Sequence, residues 1–204
     1  MHTLYSMQDS GNCYKLRLAM AQLGIPFRLV DIDILKGESR TPEFLAMNPN
    51  GKVPLLRLPD GRTLPESNAG LVYLADGTDL MPDDRFARAQ ALQWLFFEQY
   101  SHEPYIAVAR YWLSLVEGGA ELKKDRIPEW TDRGRQALAV MDRHLAETPF
   151  FVAGRYSIAD IALYAYTHVA HEGGFDLGAY AALRAWLERV AAQPGHVTLD
   201  YRPT

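Results

Sequence analysis

Ser10, in Ser10-Gly11-Asn12-Cys13, stands between a run that reads as a short strand and one with helical spacing. A serine there caps the helix, and its hydroxyl with the first free backbone N–H groups can donate to a thiolate and lower its pKa. Cys13, the single cysteine, lies one turn inside the same helix start, where a thiol is either activated or simply buried. It has no partner within the chain for a disulfide, which fits a reducing compartment and predicts a cytoplasmic protein. Glu66-Ser67 offers an anion site: Ser67 reads as an N-cap whose hydroxyl and N–H can hold a carboxylate, and an acidic neighbour suits the positive end of a helix. Val53-Pro54 follows the dense turn signal Asn48-Pro49-Asn50-Gly51 and by itself reads as the start of an edge strand. Ser157 and Asp160 have the Ser-x-x-Asp spacing of a capping box, a stabilising rather than a catalytic feature.

The elements that must position these residues change character along the chain. His2 to Ser6 is a short strand, and Asn12 to Leu23 is helical (Leu16, Ala19, Met20, Leu23) with Gly24 closing it. Phe27 to Ile32 reads as a second strand, and Thr41-Pro42 opens a short helix to Ala46. Pro54 to Leu58 and Arg62 to Leu64 flank the hairpin signal Asp60-Gly61, and a further helix runs from Glu66-Ser67 to about Ala75. The order βαβ, crossover, ββα predicts an α/β unit with a mixed sheet. Strand patterning then vanishes. Arg85 to about Glu117 is helical and aromatic-rich, and Asp125–Leu145, Ser157–Ala170 and Leu177–Ala192 are helical too. The reading is therefore a first domain over 1–77, a linker over 78–85 and an all-helical domain over 86–204.

Bulk properties narrow the function classes. Over 204 residues, Lys and Arg number 21 against 25 Asp and Glu, a net charge of −4, with 48% hydrophobic residues. This is ordinary globular composition, and its mild acidity argues against nucleic acid or an anionic membrane as partner. No run of eighteen apolar residues predicts a membrane span, and Met1 to Ser6 lacks the basic and apolar regions of a signal peptide. The histidines show no metal-ligand spacing and no Gly-rich phosphate loop is present, so no metal is expected.

Taken in order, Tyr5-Ser6-x3-Ser10-Gly11-Asn12-Cys13-x-Lys15-x-Arg17, Asn48-Pro49-Asn50-Gly51-Lys52-Val53-Pro54-x-Leu56 and Glu66-Ser67-Asn68-Ala69 resemble the N-terminal domain of glutathione transferases. Gly154-Arg155-Tyr156-Ser157-Ile158-Ala159-Asp160 resembles the folding motif of their C-terminal domain. The resemblance, closest to bacterial theta-, nu- and beta-like members, covers essentially the whole chain. It implies a thioredoxin-like domain followed by a helical bundle, with glutathione as co-substrate. It further implies a cis bond at Val53-Pro54 that frees the Val53 backbone to pair with the cysteinyl backbone of glutathione. By the same resemblance Ser67 holds the γ-glutamyl carboxylate, Glu66 accepts from its ammonium, and Lys52 and Arg40 meet the glycine carboxylate.

For the thiol the resemblance leaves three candidates. Ser10 matches the serine of theta- and zeta-like enzymes, and Asn12 stands where some nu-like enzymes place a thiol-contacting asparagine. Cys13 is the one thiol that could form a mixed disulfide as beta- and omega-like proteins do, although the omega-type cysteine aligns nearer Ser10. The zeta-type Ser-Ser-Cys pattern is absent. Tyr105, Arg110, Tyr111 and Trp112 are the candidates for the second-substrate pocket, and Glu98, Gln99 and His102 for reaching the ligand across a homodimer interface. The expected activity is activation of the glutathione thiol for attack on a small apolar electrophile, a role in detoxification. The alternatives are a glutathione-dependent disulfide or peroxide reductase and a non-catalytic binding module.

Overall fold

The computed structural model describes residues 1–203, which divide into two compact units: Met1–Asp76 together with the chain from Gln193 onward, and Gly77–Ala192.

In the first unit, β1 (His2–Ser6), α1 (Gly11–Gln22) and β2 (Phe27–Asp31) form a parallel βαβ crossover. The helix ends as the sequence predicts. Gly24 takes φ 63°, and the Ile25 N–H bonds the Met20 carbonyl at 2.9 Å, closing a Schellman-type cap that only a residue without a Cβ adopts at no cost. After α2 (Pro42–Met47), capped by Thr41 with Pro42 in its first turn, β3 (Leu55–Arg57) and β4 (Thr63–Pro65) form an antiparallel hairpin, and α3 (Ser67–Ala75) completes the unit. The hairpin loop has three residues, Pro59 to Gly61, because Leu58 N–H pairs with the Arg62 carbonyl at 2.8 Å and Gly61 turns the chain at φ 91°. The sheet order is β2-β1-β3-β4, a mixed four-stranded sheet whose inner strands carry the fully buried Leu4, Leu55 and Leu56.

The last stretch differs from the sequence-based expectation, which carried the helical domain through 204. From Gln193 the chain joins the first unit because α1 offers it polar anchors. Tyr14 donates its hydroxyl to the Val197 carbonyl at 2.6 Å, and Arg17 Nη2 donates to the Leu199 carbonyl at 2.8 Å. Arg202 then grips Asp31 with two bonds of 3.0 and 2.7 Å.

The second unit is all-helical: α4 (Arg85–Phe97), α5 (Glu103–Arg110), α6 (Gly119–Leu122), α7 (Ile127–Leu145), α8 (Ile158–Thr167) and α9 (Ala181–Ala191). The single long helix predicted over Arg85 to Glu117 is broken by π-helical turns at Glu98–His102 and Tyr111–Leu115. The first lies just ahead of Pro104, which lacks an N–H and whose ring would strike the carbonyl four residues back; one extra residue in the turn removes the clash. On α7, Gly134 lies flat under the buried Phe175, so a Cβ there would come within 2.5 Å of Phe175 Cζ and 3.2 Å of Ile106 Cγ1. Gly134→Ala is therefore expected to lower stability by about 1–3 kcal/mol despite the better helix former. Urea unfolding of parent and variant checks it; an equally stable or stabilised variant would show that the ring yields freely.

Candidate functional site

Strand register brings the candidate segments to one end of the sheet. Tyr5 faces Leu55 across the β1–β3 ladder, and Leu55 faces Pro65 across β3–β4. The residues just beyond these pairs are therefore neighbours: the loop leading to Ser10, the Val53-Pro54 bond, which is cis, and Glu66-Ser67. Asn12 is tied to this corner directly, because Ser67 donates its hydroxyl to Asn12 Oδ1 at 3.1 Å.

Ser10 is the N-cap of α1, with Oγ accepting from the Cys13 N–H at 3.3 Å. The hydroxyl proton is directed toward the Cys13 thiol, from which it can turn to an incoming thiolate, and the first N–H groups of the helix lie at the same end. Cys13 is fully buried, and that burial pushes its thiol up. Bonds from Ser10, the Met7 backbone and Ser6, with the charge of Arg17, pull the other way without prevailing. A thiol so placed is held in its neutral form, opposite to what a nucleophile needs. Tyr5 is half-buried, its ring packed edge-on against Phe44 at 6.1 Å.

At the second anion site the structure moves the expected cap by one residue. Ser67 is the first residue of α3, and Glu66 occupies the capping position at φ 71°, ψ 115° with no side-chain cap bond. A residue with a Cβ is strained there by about 1–3 kcal/mol, and such strain persists where the surroundings over-determine it, commonly at ligand sites. The turn ahead of Val53 is built tightly. Asn48 Nδ2 donates to the Lys52 carbonyl at 2.8 Å, Arg40 Nη1 donates to the Asn50 carbonyl at 3.1 Å, and Gly51 at φ 62° leaves room for the guanidinium. The turn thus brings the cations Arg40 and Lys52, both exposed, to one loop.

Two residues quoted only as part of a motif emerge as structural parts of this corner. Lys15 and Arg17 are both fully buried. Lys15 Nζ donates to Ser67 Oγ and to Asn68 Oδ1, each at 3.2 Å. Arg17 donates to Ser6 Oγ at 3.2 Å and to the Gln8 carbonyl at 2.7 Å. The signal was present in the sequence: two cations inside a helix whose next turns are Leu16, Leu18, Ala19 and Met20 have few ways to reach water.

In the helical unit, Tyr105 is half-buried on α5, and the rings of Tyr111 and Trp112 meet edge-to-face at 5.3 Å with Lys123 Nζ 4.5 Å above Trp112. Arg110 is buried and its Nε donates to Glu172 at 2.7 Å, so this guanidinium is engaged inside the unit. Glu98 and His102 are likewise fully buried, His102 Nε2 lying 2.9 Å from Thr167 Oγ1, while Gln99 donates to Glu98 at 3.1 Å. Among the described residues, no three His, Cys, Asp or Glu side chains cluster as a metal site would need, and no helix is long and apolar enough to cross a membrane.

The family model for the glutathione S-transferase N-terminal domain matches residues 9–76, and that for the glutathione S-transferase C-terminal domain matches residues 124–189. The crystal structure of a possible glutathione S-transferase from Rhodopseudomonas palustris superposes with a TM-score of 0.97 at 56% identity, covering 99% of each chain. The chain belongs to the glutathione S-transferase family. Two further similar proteins carry different names. The disulfide-bond oxidoreductase YfcG of Escherichia coli is 30% identical over 90% of this chain and 87% of its own. A glutathione transferase from Burkholderia graminis, crystallised with two glutathione molecules per subunit, is 26% identical with a TM-score of 0.81, covering 95% of this chain and 85% of that one.

Proposed function

We propose that this glutathione S-transferase binds glutathione at the end of its sheet and activates the thiol for attack on a small apolar electrophile. The observation that carries the proposal is the convergence of Ser10, Asn12, the cis Val53-Pro54 bond and the strained Glu66-Ser67 at one corner. A relative with bound glutathione supports that ligand. The γ-glutamyl carboxylate meets the Ser67 hydroxyl and N–H at the positive end of α3, with Glu66 facing the ammonium. The cysteinyl backbone pairs with Val53, and the glycine carboxylate meets Lys52 and Arg40. The glutathione thiol, at about 8.5 when unperturbed, is only a few per cent ionised at neutral pH, and a donor at Ser10 raises that fraction. The thiolate then forms the S–C bond while the electrophile's leaving group departs with the electron pair, and the thiol proton passes to solvent. Tyr105, Tyr111 and Trp112 are the apolar side chains of the helical unit proposed for the electrophile; Arg110, buried and paired with Glu172, is not among them. The exposed Phe86, Phe96 and Tyr100 of the first helical stretch support pairing of two copies of the chain.

A second reading, reduction of small disulfides or peroxides, draws on the similarity to an enzyme named as a disulfide oxidoreductase. Burial of Cys13 directs that chemistry to the thiol of glutathione itself. In either case calorimetric titration of glutathione is expected to show saturable binding that weakens about 10- to 100-fold in Ser67→Ala, the cost of a hydrogen bond to a charged group. No binding at millimolar glutathione would sink both enzymatic readings. Cys13→Ala tests which thiol a reductase would use: activity retained in this variant leaves the nucleophile on glutathione, and activity that disappears would return it to the protein.

A further inference from the structure

The glutathione site proposed above needs something to aim the Ser67 hydroxyl, and we infer that Lys15 is the residue that does so, making it a positioning residue for the γ-glutamyl carboxylate. An ammonium group only donates. Its bond to Ser67 Oγ at 3.2 Å therefore uses Ser67 as acceptor, and the Ser67 proton must point elsewhere. In the structure it points to Asn12 Oδ1 at 3.1 Å, across the mouth of the corner. An arriving carboxylate finds that hydroxyl already committed to donating outward, and takes the place of Asn12 as its acceptor. The same ammonium fixes Asn68, whose Oδ1 accepts at 3.2 Å, so the first two residues of α3 are both oriented from behind by one cation.

This contact is built into the packing of the two helices. Gly70, one turn along α3, has no Cβ, and one placed there would lie 2.9 Å from Leu16 Cδ2. The missing methyl lets α1 and α3 approach closely enough for Lys15 to reach the end of α3. A full positive charge with no exposure to water then stands behind the partial charge of the helix end. Both favour an anion over a neutral group at the same position.

The test compares glutathione with 4-aminobutanoyl-cysteinylglycine, which lacks only the γ-glutamyl carboxylate. Calorimetric titration of the intact chain is expected to show a preference for glutathione of about 100-fold in the parent. In Lys15→Met that preference falls about tenfold or more, while affinity for the carboxylate-free peptide changes less than about threefold. Equal losses for both peptides, or an unchanged preference, would overturn the inference and leave Lys15 a packing residue. A parent that binds neither peptide removes the glutathione site itself, and the inference with it. Lys15→Gln, which keeps a polar head in the same space, gives the same comparison if the Met variant does not fold.

Discussion

Asp160→Asn is expected to cost about 3–4 kcal/mol of stability, measured by urea unfolding near neutral pH. The side chain is fully buried and every contact aimed at it is a donor. Oδ2 accepts from Ser157 N–H at 2.9 Å and Ser157 Oγ at 3.2 Å; Oδ1 accepts from Phe151 N–H at 3.2 Å and Trp186 Nε1 at 2.9 Å. An amide replaces one acceptor with two N–H groups. One can turn to Ser157 Oγ, but the other faces the Ser157 N–H, leaving two buried donors opposed. The variant also breaks the capping box of α8.

The pH dependence of the same residue has a definite sign. Burial pushes the Asp160 carboxyl from 3.8 up to about 7, against the pull of its donors. The folded state thus binds a proton that the unfolded chain has already released. Stability from this group is full below pH 3.8 and is lost as pH rises toward about 7. The stability gap between parent and Asp160→Asn should therefore be wider at pH 5 than at pH 8. A gap of the same size at pH 5 and pH 8 would mean the four donors hold the carboxylate ionised throughout.

That network shows where sequence reading succeeds and where it stops. The Ser-x-x-Asp pair is local, so Ser157 and Asp160 were legible as a cap. The donors from Phe151 and Trp186 come from other elements, and nothing in the spacing announces them. The first unit behaves likewise. Gly24, Thr41-Pro42 and Asp60-Gly61 are punctuation with local causes, and the elements they bound lie within a residue or two of the expected positions. Glu66 at the capping position was not legible, because a strained conformation in a residue with a Cβ contradicts local preference and is imposed by its neighbours. Nor were the π-helical turns, since hydrophobic spacing cannot distinguish a continuous helix from one that absorbs an extra residue ahead of Pro104. The resemblance supplied the cis bond; composition and periodicity alone read Val53-Pro54 as an edge strand.

The chain from Gln193 onward was misassigned for a related reason. It has no periodicity of its own and, apart from the side chains of His196 and Arg202, is held through its carbonyls, which any sequence can supply. It nonetheless bears on the proposed site. The Leu199 carbonyl accepts from Arg17 Nη2 at 2.8 Å and from Gln8 Nε2 at 2.7 Å, and Arg17 also holds the Gln8 carbonyl and Ser6 Oγ. The loop between β1 and α1 is thereby fixed from both sides, and Ser10 is presented by a rigid turn in which its own N–H bonds the Met7 carbonyl at 3.2 Å. Orientation of a single donor against a reacting atom is worth little if the loop that carries it moves.

Ser10→Ala is accordingly expected to reduce turnover at neutral pH about 10- to 100-fold, because the ionisation of bound glutathione shifts upward by about 1–2 pH units. The sign follows from which form the hydroxyl favours. A donor stabilises the thiolate and lowers its pKa, so removing it leaves less thiolate at pH 7 and restores activity as pH rises. Ser10 also caps α1, and loss of the cap alone costs about 1 kcal/mol. Ser10→Asp separates the two roles: it accepts the Cys13 N–H as the serine does, has no proton to give, and should fold while remaining as inactive as the alanine variant. Ser10→Thr retains both functions and should keep most of the activity. The measurement is kcat against pH for the parent and each variant at saturating glutathione. Cys13→Ala, removing a buried neutral thiol, should superimpose on the parent profile. If instead Ser10→Ala keeps the parent profile and Asn12→Ala shifts it, the thiol is governed from Asn12, and Ser10 serves only to start the helix.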